Sequence, residues 1–223
     1  VLDAFCPHLG AHLGMGGKVV GEGIQCPFHA WCYGPDGKCI SIPYAKKIPP
    51  KARIRSWKTQ EVDGHIFVWH PRSNQEPTYQ VPALEGHDTD EWQGWTTELL
   101  RIDSTPWEIM ENLADKAHFP VVHRARIEYF ENEFNETTAI QRTKGVGIYT
   151  SPDEDTTFES VATYYGPSYL ITEMDAKPQH RLLLTHTPVN ETTVDLRIGA
   201  SIRKRGNEEW LEKMESLVIK AIM

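Results

Sequence analysis

Cys6-Pro7-His8 and, after seventeen intervening residues, Cys26-Pro27-Phe28-His29 each offer one thiolate and one imidazole. Two sulfurs and two nitrogens suit either a tetrahedral zinc ion or an iron–sulfur centre. The order of the residues discriminates between them. Zinc sites of this composition usually pair cysteine with cysteine and histidine with histidine along the chain, whereas both pairs here are mixed. Interleaved pairs fit a [2Fe–2S] cluster with two cysteines on one iron and two histidines on the other. Pro7 and Pro27 stiffen the two loops, and glycines follow the first pair where a tight backbone is needed.

A second constellation lies in Asn112-Leu113-Ala114-Asp115-Lys116-Ala117-His118-Phe119-Pro120-Val121-Val122-His123. Asp115 and His118 are three residues apart and are expected to share one helical face. His118 and His123 are five apart, which a regular helix splays by roughly 140°. Pro120 is expected to end or distort the helix near His118 and let His123 turn back toward the same point. Two imidazoles and a carboxylate form the facial triad of non-haem Fe(II) oxygenases. By itself a His-x4-His spacing is a weak signal, since most such pairs are ordinary surface or core histidines.

The elements that must position these groups read as two parts. Residues 1–80 carry short strand and turn patterns, including Lys18–Val20 and Gly23–Gln25 around a glycine turn, and a closing strand over Gly64–Trp69. Val1–Phe5 reads as a strand running into the first loop. The polar, proline-bearing stretch 73–90 carries the boundary, and 81–223 form the second domain. There the pattern predicts a strand over Trp95–Ile102 and a helix from Pro106 to about Phe119. Strands follow around Phe158, Ala162 and Tyr164 and over Val194–Ile202, where apolar and polar residues alternate. Asn207 reads as the cap of a last helix with Trp210, Leu211, Met214, Leu217 and Val218 on one face. Both ends read as cut. The fold class is α+β: a small all-β domain, then an antiparallel sheet packed with helices.

Composition narrows the classes. The chain has 223 residues, 39% hydrophobic and 24% charged, in the range of an ordinary globular protein. Its formal charge of −8 argues against nucleic acid as a general partner. Four cysteines point to metal ligation rather than to a disulfide scaffold. No dinucleotide-binding fingerprint is present.

CPHLGAHLG and CPFHAWCYGPDGKC resemble the two cluster loops of Rieske non-haem iron oxygenases, and NLADKAHFPVVH resembles the Asn-x2-Asp-x2-His-x4-His motif of their catalytic domains. The likeness covers essentially the whole chain and implies a helix-grip catalytic domain. Ala11 and Phe28 stand where respiratory Rieske proteins would carry additional cysteines, which favours the oxygenase type. The resemblance implies that Cys6, His8, Cys26 and His29 hold the [2Fe–2S] cluster, and that His118 and His123 hold a mononuclear Fe(II). Asp115 would bridge to a Rieske histidine of a neighbouring subunit in a homotrimer, and Asn112 would lie near the iron. Cys32 and Cys39 would be packed thiols. The family's third iron ligand, an aspartate on a later helix, is expected past Met223; Asp153, Asp175 and Asp195 sit in no matching motif.

The implied activity is that of a terminal monooxygenase or dioxygenase that activates O2 with electrons from NAD(P)H. A flavin/iron–sulfur reductase or a ferredoxin would deliver them. CPFHAWCYGPDGKCISIPYAKKIPPKARIRSW is similar to the 3-ketosteroid 9α-hydroxylase and sterol-oxidising branch, which implies a steroid substrate that is hydroxylated or desaturated. Another apolar or aromatic substrate, or an electron carrier without catalytic iron, remain as alternatives. Tyr149, Phe158, Tyr164, Tyr169, Leu170 and Leu183 are candidates for an apolar pocket and are equally good core. The basic stretch Lys46, Lys47, Lys51, Arg53, Arg55 and Lys58 fits either a docking patch for an acidic redox partner or a solvated strand edge. A cytoplasmic location is expected, with an N-terminal membrane anchor as the open alternative.

Overall fold

The computed structural model describes residues 1–71, 73, 75–87, 89–147 and 156–204. The chain divides into two units, Val1–Pro82 and Ala83–Met223.

In the first unit, β1 (Lys18–Val20), β2 (Gly23–Gln25), β3 (Cys32–Tyr33) and β4 (Cys39–Ser41) form an antiparallel sheet in that order. β5 (Thr59–Val62) and β6 (His65–Val68) make a separate hairpin. Asp63 and Gly64 turn this hairpin with φ of 51° and 75°, the left-handed pair that a two-residue turn of matching twist needs. Val1–Phe5 is not a strand. It contributes isolated bridges, Leu2 to Ser56 and Phe5 to His12, because the chain bends at once into the first Cys/His loop. Cys6, Leu13, Cys26, Tyr33, Cys39, Ile42, Ala52 and Ile54 form the core, so two of the predicted ligands are themselves core residues.

The second unit is a seven-stranded antiparallel sheet. Its strands are β7 (Thr96–Ile102), β8 (Ala125–Phe134), β9 (Thr138–Gly147), β10 (Thr156–Tyr165), β11 (Tyr169–Asp175), β12 (His180–Pro188) and β13 (Val194–Ile202). They lie in the order β7-β13-β12-β11-β10-β9-β8. Alternation puts Phe158, Ser160, Ala162 and Tyr164 of β10 on one buried face. Register sets Gln141 and Thr143 of β9 and Leu170, Thr172 and Met174 of β11 beside them.

The helix expected from Pro106 to Phe119 is two short ones, α1 (Pro106–Glu111) and α2 (His118–Val122). Thr105 and Glu108 cap α1 reciprocally and Pro106 opens it. It stops at Asn112, and turns carry the chain to Ala117, where α2 begins. Pro120 therefore does not terminate a long helix. It occupies the first turn of α2, where its missing N–H costs nothing. Leu113, after α1, packs with Ala162 and Tyr164, and Phe119 of α2 packs with Phe158 and Met174, so both helical segments rest on the same face of the sheet. The expected last helix, Tyr149 and Asp153 lie outside the described residues. Among the described residues, no helix is long and apolar enough to cross a membrane.

Candidate metal centres and cavity

The two Cys/His loops repeat one backbone pattern. In the first, Cys6 N–H donates to Ala11 O at 2.9 Å and Gly10 N–H donates to Cys6 O at 2.8 Å. In the second, Cys26 N–H donates to Trp31 O at 2.8 Å and Ala30 N–H donates to Cys26 O at 3.1 Å. The fifth residue of each loop has positive φ, 75° at Gly10 and 57° at Ala30. The loops thus bring Cys6 and Cys26 into one core, 2% and 4% exposed, and set the rings of His8 and His29 4.7 Å apart, edge to face. His8 stacks on Trp31 with ring centroids 4.5 Å apart, and Trp31 Nε1 in turn donates to Tyr44 Oη at 2.7 Å.

This donor set fits a binuclear cluster. His8 Nδ1 is buried with no hydrogen-bond partner, a costly state for a polar atom unless a ligand satisfies the ring. Among the described residues, no three His, Cys, Asp or Glu side chains gather tightly enough to ligate a single ion. Two thiolates and two imidazoles suit a cluster that takes two protein ligands on each iron. Tyr33, fully buried, lies with its Oη 3.1 Å from Cys6 Sγ. Burial, reinforced by Cys6, pushes the phenol well above its ordinary range, so it stays protonated and donates when Cys6 is a thiolate. Nothing in its sequence position singled out this tyrosine. Cys32 and Cys39 are buried free thiols, and burial pushes the Cys39 thiol up.

In the second unit, His118 opens α2 and His123 caps its C-terminus, with φ −96° and ψ −1°. One helical turn and that last bent residue bring the two rings within 5.1 Å, both packed on Phe119. Asp115 is not on a shared helix with His118. It sits in the preceding turn, where Oδ1 accepts from Ala117 N–H at 2.8 Å and Oδ2 lies 3.6 Å from His118 Nδ1. That distance is too long for a hydrogen bond, and His118 Nδ1 has no other partner. Burial, and then His118, hold His123 below the ordinary histidine range, which keeps it in the neutral form a metal requires. Gln141 Nε2 donates to Leu113 O, and Thr143 Oγ1 donates to Gln141 Oε1 at 3.1 Å, which ties the end of α1 to the sheet.

His118 and His123 stand on the wall of a cavity of about 510 Å3 between the helices and the sheet. This lies within the usual range for small-molecule sites, roughly 300–1,000 Å3. Its wall is mainly apolar, with Phe158, Leu170, Met174, Leu182 and Ile198 among the lining residues. Asn112, Tyr164 and Leu183 line it too, whereas Tyr169 is buried without reaching it. Sequence reasoning missed Leu182 and His180, although the pattern of β12 placed both on the same face as Leu184. Among the described residues, no carboxylate joins the two histidines as a third ligand: Asp175 is exposed at the end of β11, and Asp195 is held by Arg101 at 2.7 and 2.8 Å. In the basic stretch, Arg55 lies over the Trp57 ring and Lys58 pairs with Glu76, while Lys46, Lys47 and Lys51 are exposed.

Residues 68–222 match the family described as 3-ketosteroid 9alpha-hydroxylase C-terminal domain, and residues 1–58 match the Rieske [2Fe-2S] domain. The chain belongs to this family of Rieske oxygenases. The Rieske match ends just before β5 and the other begins at the end of β6, yet residues as far as Pro82 pack with the first unit. The Gln60 side chain bonds both the N–H and the C=O of Val81.

A 3-ketosteroid-9-alpha-monooxygenase oxygenase component of Rhodococcus rhodochrous is 39% identical over 92% of this Rieske chain and 56% of its own length. Its counterpart from Mycobacterium tuberculosis is 33% identical over 100% of this chain and 61% of its own length. A cholesterol 7-desaturase of Xenopus laevis is 46% identical over 55% of this chain. The chain thus spans little more than half the length of the curated steroid monooxygenases it matches. Among solved structures, dicamba monooxygenase bound to dicamba superposes with a TM-score of 0.76 at 18% identity, covering 96% of this chain and 69% of that one. At that identity the likeness bears on the fold alone.

Proposed function

We propose that this chain is the greater part of a terminal oxygenase that oxidises a steroid or sterol, by hydroxylation or desaturation, with electrons drawn from NAD(P)H through a separate flavin/iron–sulfur reductase or ferredoxin. The observation that carries the proposal is a pair of half-buried histidines, 5.1 Å apart, on the wall of an apolar cavity. When bound, the cluster supplies single electrons, and a mononuclear iron supplies the place where dioxygen is reduced beside the substrate.

The chain's own residues have separate tasks. Cys6, His8, Cys26 and His29 hold the cluster, and Tyr33 donates a hydrogen bond to the Cys6 sulfur. His118 and His123 hold the iron, with an aspartate outside the described residues as third ligand. The apolar cavity wall excludes water and takes the hydrocarbon body of the substrate. Asn112, at the end of α1, lines the same cavity. Asp115 is half exposed, with its side chain 50% accessible, and so is free to meet a histidine of a neighbouring subunit in a head-to-tail homotrimer. The exposed Lys46, Lys47 and Lys51 suit the docking of an acidic redox partner. A source of NAD(P)H-derived electrons agrees with a cytoplasmic site of action. The names of the 3-ketosteroid-9-alpha-monooxygenases and the cholesterol 7-desaturase, together with the cavity, support the steroid class.

Low-temperature EPR on dithionite-reduced, Fe(II)-loaded chain exposed to nitric oxide tests the assignment. A Rieske signal accompanied by a high-spin iron–nitrosyl signal is expected. A Rieske signal alone, also in a chain extended at its C-terminus, would sink the oxygenase reading in favour of an electron carrier.

A further inference from the structure

Two buried polar side chains of the catalytic unit have no role in the proposal above. Tyr164 and His186 are each 1% exposed. Tyr164 Oη and both ring nitrogens of His186 are buried without a hydrogen-bond partner. Three unpaired polar atoms in one spot are unusual, because each is destabilising if nothing satisfies it. The two rings pack edge to face with centroids 5.8 Å apart. Tyr164 forms part of the cavity wall, and His186 sits behind it, next to the turn between β10 and β11, where its N–H donates to Ser168 O at 3.1 Å.

Their position relative to the iron site follows from the register of β10. Phe119, on which His118 and His123 pack, belongs with Phe158 to one apolar cluster. Tyr164 belongs with Leu113 and Ala162 to another. Six residues of extended strand separate Phe158 from Tyr164, about 20 Å at the usual rise. The cavity therefore has an end backed by the histidine pair and another end backed by Tyr164, with Leu170, Thr172 and Met174 of β11 along the wall between them.

We infer that Tyr164, backed by His186, is the polar anchor of this cavity: it fixes an apolar substrate by a ketone or hydroxyl oxygen carried at the end remote from the iron. This rests on the oxygenase reading and deepens it, since the anchor sets which carbon faces the metal. The chemistry of the pair suits both oxygens. Burial holds the Tyr164 phenol above its ordinary range, so it remains an O–H donor for a carbonyl. Burial also lowers His186 to about 4, so the imidazole is neutral and keeps one acceptor nitrogen for a substrate hydroxyl or for the phenol that binds it. A site that must hydrogen-bond an oxygen discriminates against the analogue that lacks it, because its own buried polar atoms are then left unpaired.

The test uses the iron-loaded full chain and two matched pairs of ligands: a 3-ketosteroid and its 3-deoxy analogue, and cholesterol and its 3-deoxy hydrocarbon. Dissociation constants are measured for the wild type and for Tyr164→Phe, and the melting temperature of each ligand-free protein is recorded. The wild type is expected to prefer the oxygenated member of a pair by about tenfold, the worth of one good hydrogen bond. Tyr164→Phe should abolish that preference by weakening only the oxygenated ligand, with the ligand-free melting temperature unchanged or raised. Equal affinity of the wild type for both members would overturn the anchor and leave the steroid reading standing. A Tyr164→Phe protein that melts several degrees lower would also overturn it, by showing that an internal water already satisfies the hydroxyl. A wild type that binds none of the four would overturn the substrate class and the anchor together.

Discussion

In the first unit, the four proposed ligands come from two loops with the same hydrogen bonds at the same offsets, and both cysteines are part of the core. In the second, the two proposed ligands come from the start and the end of a single five-residue helix laid on a sheet, at the edge of a cavity. The first arrangement makes the metal group a structural member of its unit. The second needs the sheet to exist before the ligands converge, and it leaves space open beside them. Electron transfer asks for a rigid, enclosed centre, and catalysis asks for an open one. The two units differ in that respect.

The most drastic way to test the contrast is to remove one cluster ligand. Cys26→Ser should lose the cluster and, with it, the cooperative fold of the first unit, since so small a core depends on its metal group for stability. Iron and acid-labile sulfide per chain, measured alongside limited proteolysis, report both losses. The seven-stranded sheet should survive. Intact first-unit structure without the cluster would show that the loops are supported by packing alone. Next in size is His123→Ala, which should abolish the iron–nitrosyl signal while the Rieske signal and the melting of the sheet stay unchanged. Loss of the Rieske signal in that variant would show that the two sites are not independent.

The contrast also explains what could be read in advance. Cys6, His8, Cys26 and His29 could be nominated from spacing and residue type because each Cys/His pair lies within one short loop, and the structure brings the two loops together. The strands over 96–102 and 194–202 were legible from alternation. The helix from Pro106 to Phe119 was not, because helical propensity runs through Asn112–Lys116 while the Gln141 hydrogen bond to Leu113 O and the burial of Leu113 against Tyr164 hold that stretch as turns. Tyr33 as donor to Cys6, and His186 behind Tyr164, depend on partners 27 and 22 residues away, on other strands or loops, and no local pattern announces such contacts.

A smaller effect should separate the units by pH. His186 has its folded-state value lowered to about 4 by burial, and burial shifts His180 in the same direction. Between pH 6.5 and about 4 the unfolded chain binds a proton that folded His186 refuses, so stability is full above that window and falls as pH drops through it. The loss from His186 is on the order of 3 kcal/mol. Thermal unfolding of the sheet, followed at neutral pH and near pH 4.5, should therefore show a larger drop in the wild type than in His186→Gln. An equal drop in both would remove His186 as the source of acid sensitivity.

The finest test returns to the two loops. Gly10 and Ala30 occupy the same position and both have positive φ, yet one carries a Cβ and the other does not. A Cβ built at Gly10 meets nothing within 4 Å, so a substitution there is opposed by backbone conformation alone. The left-handed region costs an alanine about 1–2 kcal/mol, offset in part by the roughly 0.4–1 kcal/mol that alanine gains by restricting the unfolded chain. Gly10→Ala should accordingly lower stability by up to about 1.6 kcal/mol, and Ala30→Gly should raise it by up to the same amount, with the cluster intact in each variant. The midpoints of cluster bleaching in denaturant measure both changes. Opposite signs of similar size would establish the loops as one motif used twice. Were Gly10→Ala neutral and Ala30→Gly destabilising, the contacts around Ala30 would outweigh its backbone strain, and the equivalence of the loops would end at their hydrogen bonds.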